Sequence, residues 1–310
     1  MKIAFIFPGQ GSQYLGMAKE FIENFNESKE TFDAASAALG FDLLQLCLHG
    51  PVEQLNLTEH TQPAILAASI AILRPLERRG LIASAAAGHS LGEYTAITAA
   101  GGFEFTDAIA LVRKRGKYMQ EAVPQGTGLM AAILGLDRQA VEKTCLEAAK
   151  NGIVAPANYN SPGQIVIAGE KMAVEKAMEL ARAAGAKKVI PLAVSVPSHC
   201  AMMKQAGDRL ARELDNITIN DLSFPIVNNA DAKFVQTAAE LRPSLFKQIS
   251  SPLYWEDSIG KMAADGYDTF IEIGPGKVLS GLVKRIAKDA KVLNVEDQKS
   301  MSDTLSAVGL

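Results

Sequence analysis

At 310 residues the chain is longer than a usual single core, so it is one large domain carrying an insertion, or two domains. Hydrophobic residues make up 48% and charged residues 21%, the usage of a folded globule, which excludes a disordered or low-complexity chain. A net charge of −3 excludes a chain-wide basic field of the kind that holds nucleic acid or an anionic membrane.

The first predicted element is a buried strand, Ile3 to Phe7, a continuous apolar run stopped by the tight loop Pro8-Gly9-Gln10-Gly11-Ser12. Five apolar residues are too few for the apolar segment of a signal peptide. No apolar run approaches the roughly 20 residues that cross a bilayer. The three cysteines, Cys47, Cys145 and Cys200, are far apart and lack metal-ligand spacing. They suit a reducing compartment, so a cytoplasmic chain is expected.

Pro63 to Arg78 reads as a mostly apolar helix with Pro in its first turn. Ile82 to Gly88 leads, as a short small-sided strand, into Ser90 and a helix from Glu93 to Ala100. Thr106 to Val123 reads as a helix whose inward stripe is Ala108, Val112, Arg115, Met119 and Ala122. Arg113, Lys114 and Lys117 lie off that stripe and read as solvated charges.

From Gly126 the pattern changes. A strand (Gly128 to Leu136), a helix (Arg138 to Lys150), two strands (Ile153 to Asn158 and Gln164 to Gly169), a helix (Met172 to Ala184) and a strand (Lys188 to Val194) follow. The order βαββαβ is the split ferredoxin-like motif, and residues 126–196 are expected to form an inserted subdomain. Strands at Phe224 to Val227 and Thr269 to Ile273, with a helix from Val278 to Ala287, resume the larger unit. Residues 1–125 and 197–310 are thus expected to form an α/β-hydrolase-like domain with a parallel sheet. The tail from Gln298 reads as frayed.

Gly88-His89-Ser90-Leu91-Gly92, between a strand and a helix, has the nucleophile-elbow pattern, in which two glycines allow a sharp turn that exposes the serine Oγ. The Leu91 N–H and the helix N-terminus then face a developing oxyanion. The Pro8 to Ser12 loop is placed to add the second N–H. As a dinucleotide site it fails, because Tyr14 stands where the third glycine belongs.

A serine hydroxyl needs a base. Of the four histidines, His49 and His60 lie in polar loop sequence, and His89 adjoins the serine with its ring turned elsewhere. His199 stands where the small unit rejoins the large one, a favoured place for a site. Arg115 is either reaching to the surface along its stem or holding an anion, for which its planar fork matches a carboxylate.

With these residues in view the sequence resembles the bacterial malonyl-CoA:acyl carrier protein transacylases almost end to end. The matching motifs include Phe7-Pro8-Gly9-Gln10-Gly11-Ser12-Gln13, Thr61-Gln62-Pro63-Ala64 and Gly88 to Tyr94. Arg113 to Gly116, Asn158 to Gln164, Val196-Pro197-Ser198-His199 and Glu272 to Gly276 complete the set.

The resemblance implies that Ser90 is acylated, that His199 is its base, and that Gln10 and Leu91 give N–H groups to the oxyanion. It also implies that Arg115 holds the malonyl carboxylate and that main-chain carbonyls near Gln248 orient His199 in place of an aspartate. The implied partners are malonyl-CoA and acyl carrier protein, with no metal or cofactor, no nucleic acid and no membrane, acting on a monomer. Lys187 and Lys188, or Lys284, Arg285 and Lys288, offer a carrier docking patch, if they are not ordinary solvated faces. The alternatives are a serine thioesterase or hydrolase of the same fold, and a catalytically silent acyltransferase-like module.

Overall fold

The computed structural model describes residues 1–124, 126–192 and 196–310. Its strands in chain order are β1 (Ile3–Phe7), β2 (Ala85–Gly88), β3 (Gly128–Leu134), β4 (Val154–Ser161) and β5 (Gln164–Glu170). β6 (Lys188–Pro191), β7 (Ile226–Val227), β8 (Phe234–Val235), β9 (Thr269–Ile273) and β10 (Lys291–Val295) follow. They form two sheets. The larger has the order β10-β9-β1-β2-β7-β8, parallel throughout except for the edge pair β7 and β8. The smaller is antiparallel, in the order β4-β5-β3-β6. The protein is therefore α/β, with a mainly parallel sheet and a separate antiparallel one.

β1 is central in the larger sheet and buried on both faces, which is why its sequence carries no polar alternation. Phe5 and Phe7 face one core with Ala86 and Ile271, packed under the helices Asn26–Leu39, Thr58–Arg78 and Phe105–Glu121. Ala4 and Ile6 face the opposite core with Ala85, Ala87 and Phe270, under Trp255, Ile259, Leu282 and Val283. This period of two divides one apolar run between two layers of helix.

The smaller sheet is joined to the rest of the fold along β4, which bridges to the segment at Leu253. Tyr159 N–H donates to the Leu253 carbonyl at 2.9 Å, and Leu253 N–H donates to the Ala157 carbonyl at 2.8 Å. Arg138 bonds Asp257 at 2.7 Å, and the Tyr159 and Tyr254 rings stack with centroids 5.2 Å apart.

Several expectations are corrected. The first long helix begins at Thr58, which puts Pro63 in its second turn. Thr58 to Gln62 carries no apolar period, yet Thr58, Thr61 and Gln62 are buried. The elbow helix starts at Leu91, directly after the serine. The strand expected from Ile82 begins at Ala85, and the one expected from Phe224 is only Ile226–Val227. β6 ends at Pro191, Leu192 lies beyond the strand, and residues 193–194 of its expected span, like the expected boundary at 125, fall outside the described residues. β8 and β10 were not foreseen.

The tail is a helix, Gln298–Val308, rather than a frayed end. Asp297 caps it by accepting from Ser300 N at 2.7 Å, Ser300 Oγ accepts in return from Asp297 N, and Met301 and Thr304 are buried. Its polar composition had concealed a capping box. Asp297→Ala is expected to cost about 1 kcal/mol locally, so amides in 301–308 should exchange about fivefold faster with β1 amides unchanged. Hydrogen exchange followed by NMR or mass spectrometry reads this, and unchanged rates would show that the cap contributes nothing.

Candidate active site

The carboxyl ends of β1, β2, β7 and β9 open on one crevice, where ligands bind in open α/β sheets. β2 ends at Gly88, and the chain turns within two residues into the helix Leu91–Ala99. A Cβ on Gly88 would lie 1.9 Å from the Gly92 backbone, and one on Gly92 would lie 2.1 Å from the Phe7 carbonyl oxygen. Only glycine fits either place. Between them Ser90 takes φ 54° and ψ −103°, a strained conformation for a residue with a side chain. The turn is held by Asn229, whose Oδ1 accepts Ser90 N at 2.8 Å while its Nδ2 donates to the Gly88 carbonyl at 2.7 Å.

Ser90 Oγ is 2.8 Å from His199 Nε2. His199 Nδ1 lies 2.9 Å from the Gln248 carbonyl, which only accepts, so Nδ1 carries the proton and Nε2 receives the serine O–H. No carboxylate takes part in this pair. His199 is itself at φ 61° and only 2% exposed. Burial first, then the nearby Arg115 charge, lowers its pKa to about 3, so the ring is neutral at ordinary pH.

Arg115 is 1% exposed, and the structure brings it to Ser90. Its Nη2 donates to Ser90 Oγ at 3.2 Å and to Gln248 Oε1 at 3.0 Å, and its Nη1 donates to Gln62 Oε1 at 2.9 Å. The guanidinium lies over the Tyr94 ring at 5.1 Å, and among the described residues its Nε–H has no hydrogen-bond acceptor. Burial lowers its pKa while Tyr94 and Glu93 push the other way. An arginine nonetheless stays charged.

Gln10 and Leu91 border the same cavity, of about 290 Å³, together with Ser90, Arg115 and His199. Leu91 opens its helix, so its N–H has no intrahelical acceptor. Met130, Val166 and Leu192 from the smaller sheet's side, and Val278, Leu279 and Leu282 from the helix Val278–Ile286, give the wall an apolar part, and Asn158, Asn160 and Gln164 give it a polar one.

All six predicted site residues therefore lie at one place. His89 borders the same cavity, but its Nε2 donates to Asn160 Oδ1 at 2.9 Å and its ring packs edge-on against Trp255, so it is not paired with Ser90. His49 and His60 end and begin helices rather than lying in loops, and His60 Nδ1 is 3.0 Å from the Gln54 carbonyl. Arg113 is not simply solvated, since its guanidinium covers the Phe41 ring and bonds the Leu39 carbonyl at 2.8 Å.

Three participants were missed: Gln62, Asn229 and Glu93. Asn229 follows β7 at its carboxyl end, the one signal that pointed to it. Glu93 is buried behind the elbow, where desolvation raises its pKa to about 7 against its hydrogen bonds. Of the two basic patches, Lys284 and Arg285 lie on the helix that borders the cavity, with Lys288 just beyond it. Lys187 instead borders a separate depression with Leu134, Asp137 and Gly163. Among the described residues no group of three or more His, Cys, Asp or Glu is arranged to hold a metal, and no single helix is long and apolar enough to cross a membrane.

The family model described as "Acyl transferase domain" matches residues 4–303. The chain is 50% identical over 305 residues to the malonyl CoA-acyl carrier protein transacylase of Escherichia coli K12, covering 98% of this chain and 99% of that one. It is 47% identical to the enzyme of that name in Bacillus subtilis, over 97% and 95% of the two chains. Among solved structures it is similar to an acyl carrier protein S-malonyltransferase of Vibrio cholerae, with a TM-score of 0.96, 48% identity and coverage of 98% and 100%. It is also similar to a malonyl-transacylase solved with its type II PKS acyl-carrier protein, with a TM-score of 0.97, 49% identity and coverage of 99% and 100%.

The buried histidine makes a checkable statement. Between about pH 6.5 and about pH 3 the unfolded chain takes a proton on this ring that the folded chain refuses, so acid removes stability through His199 across that window. The His199 ring resonances should not titrate from about pH 8 down to about pH 5, and a midpoint near 6.5 in folded protein would contradict the geometry.

Proposed function

The chain belongs to the acyl transferase domain family, and within it to the malonyl-CoA:acyl carrier protein transacylases; from that premise we propose that it moves a malonyl group from malonyl-CoA to the phosphopantetheine thiol of acyl carrier protein, in fatty-acid synthesis. The reaction runs in two halves through malonyl-Ser90. In the first, the Ser90 proton passes to His199 Nε2 as Oγ attacks the thioester carbon. The oxyanion is received by the Gln10 and Leu91 N–H groups, the C–S bond breaks, and CoA leaves with the proton. In the second, the carrier thiol gives its proton to His199 and attacks the ester carbon, and the proton returns to Oγ as the C–O bond breaks. Gln248 holds His199 in the required tautomer through its main-chain carbonyl.

The observation that carries this reading is Arg115. A buried guanidinium 3.2 Å from the nucleophile, with three of its five N–H groups on neutral oxygens, fits an acyl group that ends in a carboxylate. A simple esterase has no use for it.

We read the larger sheet with its elbow as an α/β-hydrolase-like domain of residues 1–125 and 197–310, and residues 126–196 as a ferredoxin-like subdomain. The order β6-β3-β5-β4, in which a βαββαβ unit has its last strand beside its first, supports the second assignment. We read the enzyme as a cytoplasmic monomer without a cofactor, since one chain supplies every group in the scheme. Lys284, Arg285 and Lys288, on or beside the cavity helix, suit an acidic carrier better than Lys187 and Lys188.

Mixed with malonyl-CoA alone, the protein should accumulate a malonyl adduct on Ser90, visible by intact mass and absent in Ser90→Ala. Rapid release of free malonate without carrier protein would make it a hydrolase instead. Arg115→Ala should lower malonyl transfer about 100-fold, the worth of a charge-assisted bond or two, and acetyl transfer far less. Equal losses with the two donors would remove Arg115 as the selector.

A further inference from the structure

Glu93 has no part in the scheme above, yet it touches the residue that joins two of its members. It is fully buried, one turn into the helix that follows the nucleophile. Its Oε2 accepts from Gln248 Nε2 at 2.9 Å and from the Asn229 main-chain N–H at 2.9 Å. The same Gln248 amide gives its Oε1 to Arg115 Nη2 at 3.0 Å and its Nε2 to the Ser90 carbonyl at 2.9 Å, while its main-chain carbonyl accepts from His199 Nδ1.

An amide side chain can be turned over, exchanging its oxygen and nitrogen. At Gln248 the two ends are fixed by groups of opposite kind: a guanidinium, which only donates, and Glu93 Oε2, which takes two N–H groups and so acts as an acceptor. Turned over, the amide would set N–H against Arg115 N–H and oxygen against the Glu93 oxygen. Asn229 N–H needs an acceptor at the same point, which keeps Oε2 where Gln248 finds it.

We propose that Glu93 is a positioning residue for acyl transfer: through the Gln248 amide it fixes the orientation of Arg115 beside Ser90 and the carbonyl that aligns His199. The inference rests on Ser90 being the acylated nucleophile.

The test compares Glu93→Asp and Glu93→Gln in the full chain, each checked for folding by circular dichroism and thermal melting. Single-turnover acylation of Ser90 is followed by quench and intact mass, over a range of malonyl-CoA and of acetyl-CoA concentrations. Glu93→Asp keeps the charge but withdraws the oxygen by one methylene, and should slow acylation about 100-fold with malonyl-CoA and about 10-fold with acetyl-CoA, which has no carboxylate for Arg115 but still needs His199 aligned. Half-saturation by malonyl-CoA should stay within about threefold, since the loss lies in the transition state. Glu93→Gln keeps an oxygen where Asn229 and Gln248 require it and should recover the rate to within about threefold of wild type.

Glu93→Asp acylating at the wild-type rate, losing only in half-saturation, or being matched in its loss by Glu93→Gln would each overturn the proposal. If Glu93→Asp does not fold, Glu93→Asn, equally short, carries the same expectation. Wild-type protein that takes up no malonyl group fails the functional reading. Wild type that acylates beside an equally fast Glu93→Asp fails this inference alone.

Discussion

The site depends on one close approach of backbone to backbone, that of Gly92 to Phe7 at the end of β1. That contact sets the elbow helix against the central strand, and the chain must then reverse at Ser90 in a conformation that costs about 1–3 kcal/mol. Asn229 offsets the cost with two short bonds, to the Gly88 carbonyl and to the serine's own N–H. Because both ends of the turn are anchored to a buried parallel sheet, the Oγ atom has little freedom, and His199 and Arg115 meet it at bonding distance.

Two charged side chains, Arg115 and Glu93, are buried within this small volume, and each would be costly there alone. They are not paired directly. Gln248 stands between them, bonded to both, so orientation passes from one to the other while the guanidinium is answered mainly by neutral oxygens. A direct salt bridge would have compensated the arginine's charge within the protein. The interposed amide leaves that charge uncompensated by a direct carboxylate contact, on a side chain that borders the cavity.

Much of this was legible because it follows from local rules. The elbow is a five-residue pattern in a strand-to-helix context, and Arg115 was visible as the single charge on an apolar helical stripe. His199 was marked by its place where two kinds of strand pattern meet. Gln248 had no local signal and came only through resemblance. Asn229 and Glu93 act through hydrogen bonds to residues 136 to 155 positions away, which neither periodicity nor motif encodes. The tail helix was misread for another reason: its Ser, Asp and Gly content drew attention from the stripe Met301, Leu305 and Val308, which packs on the core, and from the capping box before it. The start at Thr58 was missed because buried threonine and glutamine look like loop residues by composition.

The neutral partner of His199 bears on the choice of acceptor in the proposed chemistry. A carboxylate would stabilise the imidazolium that forms when the ring takes a proton, but here the ring faces a main-chain carbonyl on one side and a guanidinium nearby. Burial, the larger cause, keeps it a weak base whether or not an acyl carboxylate answers that guanidinium. A weak base helps an acceptor in proportion to how easily that acceptor gives up its proton. A thiol, with a pKa of about 8.5, gives it up far more readily than water, at about 15.7. The feature that departs from the serine-hydrolase template thus favours transfer of the Ser90 ester to a thiol over its hydrolysis.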